Sequence, residues 1–198
     1  MQPLQFIKKI LLTIRIFPVI VFATPIGDIT EQIGVSSLTR EQNELVAIVG
    51  ADIELYDTLN TGNGRIAIEF IDEAELRLTE HSRVLIDEVI FDPDPSKNKM
   101  VMKFAMGTAR FTSGKLGMIN NANIRIETPT ATIGIRGTDF TATVDELGRS
   151  LIILLPDANG DSSGEITVTN LAGQVILNEA YQATMVSTLS SQPARPVT

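Results

Sequence analysis

The stretch Arg65-Ile66-Ala67-Ile68-Glu69-Phe70 alternates residue by residue, with Ile66, Ile68 and Phe70 on one side and Arg65 and Glu69 on the other. Successive side chains of an extended chain point to opposite faces, so a period of two predicts a half-buried β-strand. Glu75-Leu76-Arg77-Leu78 and Arg83-Val84-Leu85-Ile86 repeat the pattern. Thr61-Gly62-Asn63-Gly64, Asp72-Glu73 and Glu80-His81-Ser82 separate these runs as turns. Working outward, Asp92-Pro93-Asp94-Pro95-Ser96 reads as a loop, because proline brings no ladder N–H. A strand is expected over Met100–Met106, with Met102, Phe104 and Met106 on one face as core filling, closed by Gly107. Ala109–Thr112 is expected to be a separate strand, and Ser113–Asn123 a loop holding at most one helical turn.

Further strands are expected at Ile124–Glu127, Ala131–Gly137, Phe140–Val144, Leu151–Leu155, Glu165–Thr169, Gln174–Leu177 and Gln182–Val186. The best helical segment is Thr39–Val49, with Thr39 as its cap, and it is short. The expected fold is all-β: many short strands forming a β-sandwich, a roll or a short β-solenoid, with an N-terminal signal helix.

Residues 1–23 hold Lys8, Lys9 and Arg15 and no acid, then the apolar run Ile16–Ala23 ending on a small residue. That layout predicts a secretory signal peptide rather than an anchor, since Arg15 interrupts the run and a span needs about 20 apolar residues. Residues 24–44 are then a lead, residues 45–186 the β domain, and residues 187–198 a loose Ser/Pro-rich tail. Cleavage removes three of the 16 basic residues and none of the 24 acidic ones, leaving a formal charge of −11. Such a body repels phosphate backbones, so nucleic acid is not an expected partner. The absence of Cys excludes disulfides, thiolate metal sites and cysteine nucleophiles.

At Ile126-Glu127-Thr128-Pro129-Thr130-Ala131-Thr132-Ile133-Gly134-Ile135-Arg136-Gly137-Thr138-Asp139-Phe140 the chain resembles the FecR-domain family, whose pattern V/I-x-T-P-x-A-x-x-G-V/I-R-G-T-x-F is met at every fixed position. The stretch from Asp57 to Phe70 and the closing hairpins from Gly164 to Val186 are similar to the family more weakly. The turn Ile71-Asp72-Glu73-Ala74 departs from it. The resemblance implies an extracytoplasmic β-rich module that engages an envelope protein or a surface polymer. It does not carry over the anti-sigma segment and membrane helix of the family's regulators, for which residues 1–44 offer no room.

The motif residues Thr128, Pro129, Ala131, Gly134, Arg136, Gly137, Thr138 and Phe140 read as mainly structural. Thr128-Pro129 fixes a corner. Gly134 and Gly137 permit positive φ or close approach. Arg136 is expected to fork onto a carboxylate or carbonyls and tie strands together, with Asp139 or Glu127 as candidate partners. A ligand-contact role for Arg136 and Asp139 is the alternative.

Among chemical readings, His81 is the only histidine and sits in a turn. The acid clusters Asp72, Glu73 and Glu75, or Asp87 and Glu88, single out no hydrolytic pair, and no Trp offers a sugar platform. Asp157, Asn159 and Asp161, with Glu165, place oxygens for Ca²⁺, although Asp, Asn and Gly equally make hairpin loops. No other cofactor is expected. The function expected is non-catalytic binding of an envelope protein or surface polymer. Its alternatives are a self-assembling envelope component and an Asp/Glu hydrolase.

Overall fold

A computed structural model describes residues 24–118 and 123–198, and in it the alternating segments are strands. The first seven are β1 Gly27–Arg40, β2 Asn43–Val46, β3 Asp52–Ile53, β4 Thr58–Phe70, β5 Glu75–Leu78, β6 Arg83–Ile90 and β7 Lys99–Thr112. The second seven are β8 Asn123–Glu127, β9 Thr132–Arg136, β10 Asp139–Val144, β11 Ser150–Leu154, β12 Glu165–Asn170, β13 Gly173–Leu177 and β14 Ala183–Val186. Two 3-10 turns, Pro95–Lys97 and Lys115–Met118, are the only helical pieces among the described residues. None of these is long and apolar enough to cross a membrane. The fold is all-β, as expected. The expected signal helix, residues 1–23, lies outside the described residues.

All fourteen strands are hydrogen-bonded into one sheet that divides into two half-sheets. The first runs β13-β12-β9-β8-β7-β6-β4-β1-β2 and the second β14-β11-β10-β7-β5-β4-β1-β3. Three long strands, β1, β4 and β7, therefore belong to both. In β7, residues 99–106 pair with β6 and β8, and residues 107–112 pair with β5 and β10. Every pairing is antiparallel except β7 with β8. The buried faces share one core, from Leu38, Leu59 and Met102 to Ile68, Phe111 and Ile152.

Gly107 explains why β7 is one strand and not the two expected. Its φ is +97°, a conformation that side-chain-bearing residues rarely adopt. A Cβ there would stand 2.2 Å from the Ser82 hydroxyl oxygen. That buried hydroxyl accepts the Thr108 N–H at 3.0 Å and so holds the bend. The bend shifts the side-chain parity. Met100, Met102 and Phe104 are buried, Met106 is turned to solvent, and burial resumes at Ala109 and Phe111. The expectation that Met106 shares the core face fails for this reason.

Three further expectations are corrected. Residues 24–44 are not a lead outside the domain, because β1 pairs with β4 along nearly its whole length. Register shifts between Ile29 and Glu31 and between Gly34 and Ser36 break the alternation, which hid this strand. The Thr39–Val49 helix does not form, since Thr39 and Arg40 end β1 and Asn43–Val46 folds back as β2. The tail is not loose: Ala183 and Val197 exchange backbone hydrogen bonds of 2.8 and 3.0 Å, and Ala194 N–H donates to Met185 at 2.9 Å. Residues 187–198 thereby cover the β14 edge.

Candidate functional site

The motif begins at the corner between β8 and β9. The Thr128 N–H donates to the Ala131 carbonyl at 2.8 Å, and the Thr128 hydroxyl accepts the Ala131 N–H at 3.0 Å. Thr130 is buried, 2.7 Å from the Ser150 hydroxyl and 3.2 Å from the Val186 carbonyl. Ser150 also reaches the Thr128 hydroxyl at 2.8 Å. Three hydroxyls thus tie the corner to β11 and β14, and the Pro129 ring lies against Gly148. Ala131 and Phe140 are core residues, and the Phe140 ring packs on Phe111 with centroids 6.0 Å apart.

After β9 the chain crosses from the first half-sheet to the second in two residues. Gly137 makes the crossing with φ +56°, beside the Gly117 carbonyl. Thr138 follows, its N–H donating to the Ser113 hydroxyl at 2.6 Å and its carbonyl accepting the Ser113 N–H at 2.9 Å. Its own hydroxyl, in a residue 3% exposed, makes no hydrogen bond among the described residues. The Asp139 N–H is taken by the Ser163 hydroxyl at 3.0 Å.

Two motif expectations fail. Gly134 is not crowded, since the nearest atom to a Cβ there, the Thr167 carbonyl oxygen, is 3.7 Å away. Arg136 does not fork onto Asp139 or Glu127, and among the described residues makes only a long ion pair with its cross-strand neighbour on β12. Its side chain is 65% exposed at the end of β9, and its nearest carboxylate is Glu165 at 3.9 Å. Asp139 is instead gripped by Arg110, with Nε donating to Oδ1 at 2.9 Å and Nη2 donating to Oδ2. Glu127 lies 3.3 Å from Arg125. Arg136 follows inward-facing Ile135 and so points out, whereas Arg110 and Thr141 are cross-strand partners that place Arg110 within reach of Asp139.

The motif crossing walls a cleft of about 470 Å³, between Arg110, Ser113, Thr138 and Asp139 on one side and Pro156, Ala158 and Ser163 on the other. A second cleft of about 400 Å³ adjoins it and shares Arg110, with Glu31, Arg65, Arg77, Thr108 and Thr141 in its lining. Sequence reading missed Arg110, Ser113 and Ser163. The one available signal was parity, which puts Arg110 and Asp139 on the outer face.

The other candidates are engaged elsewhere. The Asp157 carboxylate accepts the N–H groups of Asn159 at 2.8 Å and Asp161 at 3.0 Å, which closes a hairpin loop. Glu165 opens β12 opposite Arg136. The four calcium candidates are not among any grouping of three or more metal-ligating side chains in the described residues. Asp87 pairs with Lys103 at 3.0 Å, Glu88 with Lys99, Glu73 with Lys115 and Glu75 with Arg77. Asp72 is buried, accepting N–H groups from Ala74 at 3.1 Å and Leu116 at 3.3 Å, and burial pushes its carboxyl above the usual range. His81 is exposed in a turn at φ +55°.

A second polar cluster was not foreseen. Fully buried Asp57 receives Arg40 through Nε at 2.8 Å and Nη2 at 2.7 Å, and the Glu54 N–H at 2.8 Å. The hydrogen bond to Asp57 raises the Arg40 guanidinium above its ordinary value.

The half-sheets, the hydroxyl-tied corner and the glycine crossing define an all-β module with surface clefts. The chain belongs to the FecR protein family, whose pattern matches residues 57–175. Two crystal structures of a candidate anti-sigma factor from Parabacteroides distasonis share the fold, each with a TM-score of 0.51. They are 11% and 10% identical, over 69% and 68% of this chain. This chain spans 57% and 56% of theirs. No curated protein matches the sequence.

Proposed function

We propose that the protein is a non-catalytic, extracytoplasmic binding module of a regulatory assembly that docks a second envelope protein by strand addition at β2. Family membership and the fold shared with a candidate anti-sigma factor support the regulatory setting. The cationic, acid-free residues 1–23 support the location.

The carrying observation is the β2 edge. Among the described residues β2 pairs only with β1, and all four of its residues are exposed. Val46 is 77% and Val35 70% exposed, and Leu45, Ile48 and Val49 extend the aliphatic patch. A concavity of about 590 Å³ lies between Gln32–Ser37 and Glu44–Ile48. No Lys or Pro guards this edge, whereas the β14 edge is covered by the chain's own tail. A guest strand gains main-chain hydrogen bonds there, and its aliphatic side chains bury the patch. Glu41 and Glu44 are the only charges from Glu41 to Ala51, so the guest is an aliphatic strand flanked by Lys or Arg.

A photo-crosslinking side chain placed at Val46 in the full chain, in the native envelope, tests this. One discrete protein adduct is expected at position 46, lost on Leu45→Pro and absent from a control at exposed Leu171. Equal adducts at both positions, or none, would defeat the reading. An adduct of the chain with itself would replace it by self-assembly.

A further inference from the structure

Two residues, Glu41 and Gln42, join β1 to β2, because Arg40 and Asn43 on either side of them are already cross-strand partners. Their φ angles are +48° and +70°, the two positive values that a type I′ hairpin turn requires. Asn-Gly or Gly-Gly normally makes such a turn, since a side chain at positive φ crowds the following carbonyl. Elsewhere among the described residues positive φ falls on glycines or on single residues, and Glu41-Gln42 is the one adjacent pair without a glycine. Both residues are exposed, so no burial offsets the strain.

Everything that β1 touches lies beyond this turn. β1 pairs with β2, β3 and β4, Arg40 binds Glu54 and Asp57, and Glu31 binds Arg65 and Arg77. A straightened turn therefore lets β1, with any residues before it, leave its own body and remake the same contacts on a second copy. The register fits this exchange. Cross-strand pairs step inward from Ser37 with Val46 to Arg40 with Asn43, and the next step would pair Glu41 with Gln42. Adjacent residues of one chain cannot pair, but two copies related by a two-fold axis can make that pair twice. Straightening thus replaces two strained residues by two added ladder pairs, and each sets a Glu opposite an uncharged Gln.

We propose that Glu41-Gln42 is a hinge through which two copies of this chain exchange β1, giving a two-fold dimer joined by one continuous β1–β2 ribbon. Turn strain disfavours the closed monomer, and the entropy of association disfavours the dimer, so protein concentration and the hinge residues set the balance. The exchange leaves the outer edge of β2 as it is in the monomer, and so does not depend on docking there.

The chain has no Cys, so Ser37→Cys and Asn60→Cys, cross-strand partners on β1 and β4, introduce its only thiols. The full chain carrying both is refolded from urea at low and high protein concentration, separated by size and treated with a short bis-maleimide. A dimer fraction that grows with concentration and is linked between chains on a denaturing gel is expected, beside a monomer linked within its chain. Adding Glu41→Asn and Gln42→Gly, which relaxes the turn, is expected to lower the dimer fraction at least about tenfold. A dimer linked only within its chains would overturn the exchange, because the copies would then associate through other surfaces. No dimer at any concentration, or a dimer fraction indifferent to the hinge residues, would overturn it as well.

Discussion

Asp72 shows how one buried carboxylate can make the fold pH-dependent. It bridges the β4–β5 turn and the 3-10 turn at Lys115–Met118 by accepting two backbone N–H groups, yet burial raises its carboxyl above the ordinary value. For an acid whose folded pKa lies above its unfolded one, the charged form opposes folding at neutral pH. That opposition is relieved as pH falls through the raised folded value toward the unfolded 3.8. Thermal melts of wild type and Asp72→Asn between pH 7 and about 4 should therefore show wild type gaining relative to the variant as pH falls. A relative loss would mean that the two accepted N–H bonds outweigh desolvation, and a constant difference that the two cancel. Residue-scale roles were partly legible in the sequence. The Thr128-Pro129 corner and the Gly137 turn follow from local chemistry. The partner of Asp139 does not, because Arg110 stands 29 residues away and reaches it only through the β7–β10 pairing.

Elements with unbroken alternation were legible, namely β5, the first half of β6, β8 and the C-terminal half of β4. Those that bend were not. A bend or register shift exchanges the inward and outward residue sets, so β1 loses its period and β7 looks like two strands. Gly107 is where that bend can be tested. Gly107→Ala meets both a disfavoured φ and the Ser82 backbone and side chain. Gly50→Ala meets a similar φ of +80° with nothing within 4 Å. Urea denaturation should show a loss of roughly 1 kcal/mol for Gly50→Ala, from strain alone. Gly107→Ala should lose more than about 2 kcal/mol. Equal losses would show that β7 absorbs the added methyl by shifting its register.

At the scale of the molecule, the family pattern identified the domain, and it understated its extent: the matched span starts at residue 57, whereas β1 starts at Gly27. Because β1, β4 and β7 each serve both half-sheets, neither half has a complete set of strands without the other. Heating should give one transition, with calorimetric and van't Hoff enthalpies agreeing. Two resolved transitions would mean that the half-sheets melt separately.

The same three strands also fix how force travels. A guest strand of the kind proposed, pulling on β2, would load β1 across their shared hydrogen bonds, and β1 is the same covalent backbone that lies against β4 in the other half-sheet. Tension would thus enter the second half-sheet along the chain itself, past the register shift between Gly34 and Ser36. A pull at the edge would then reach the opposite layer through covalent backbone as well as through hydrogen bonds.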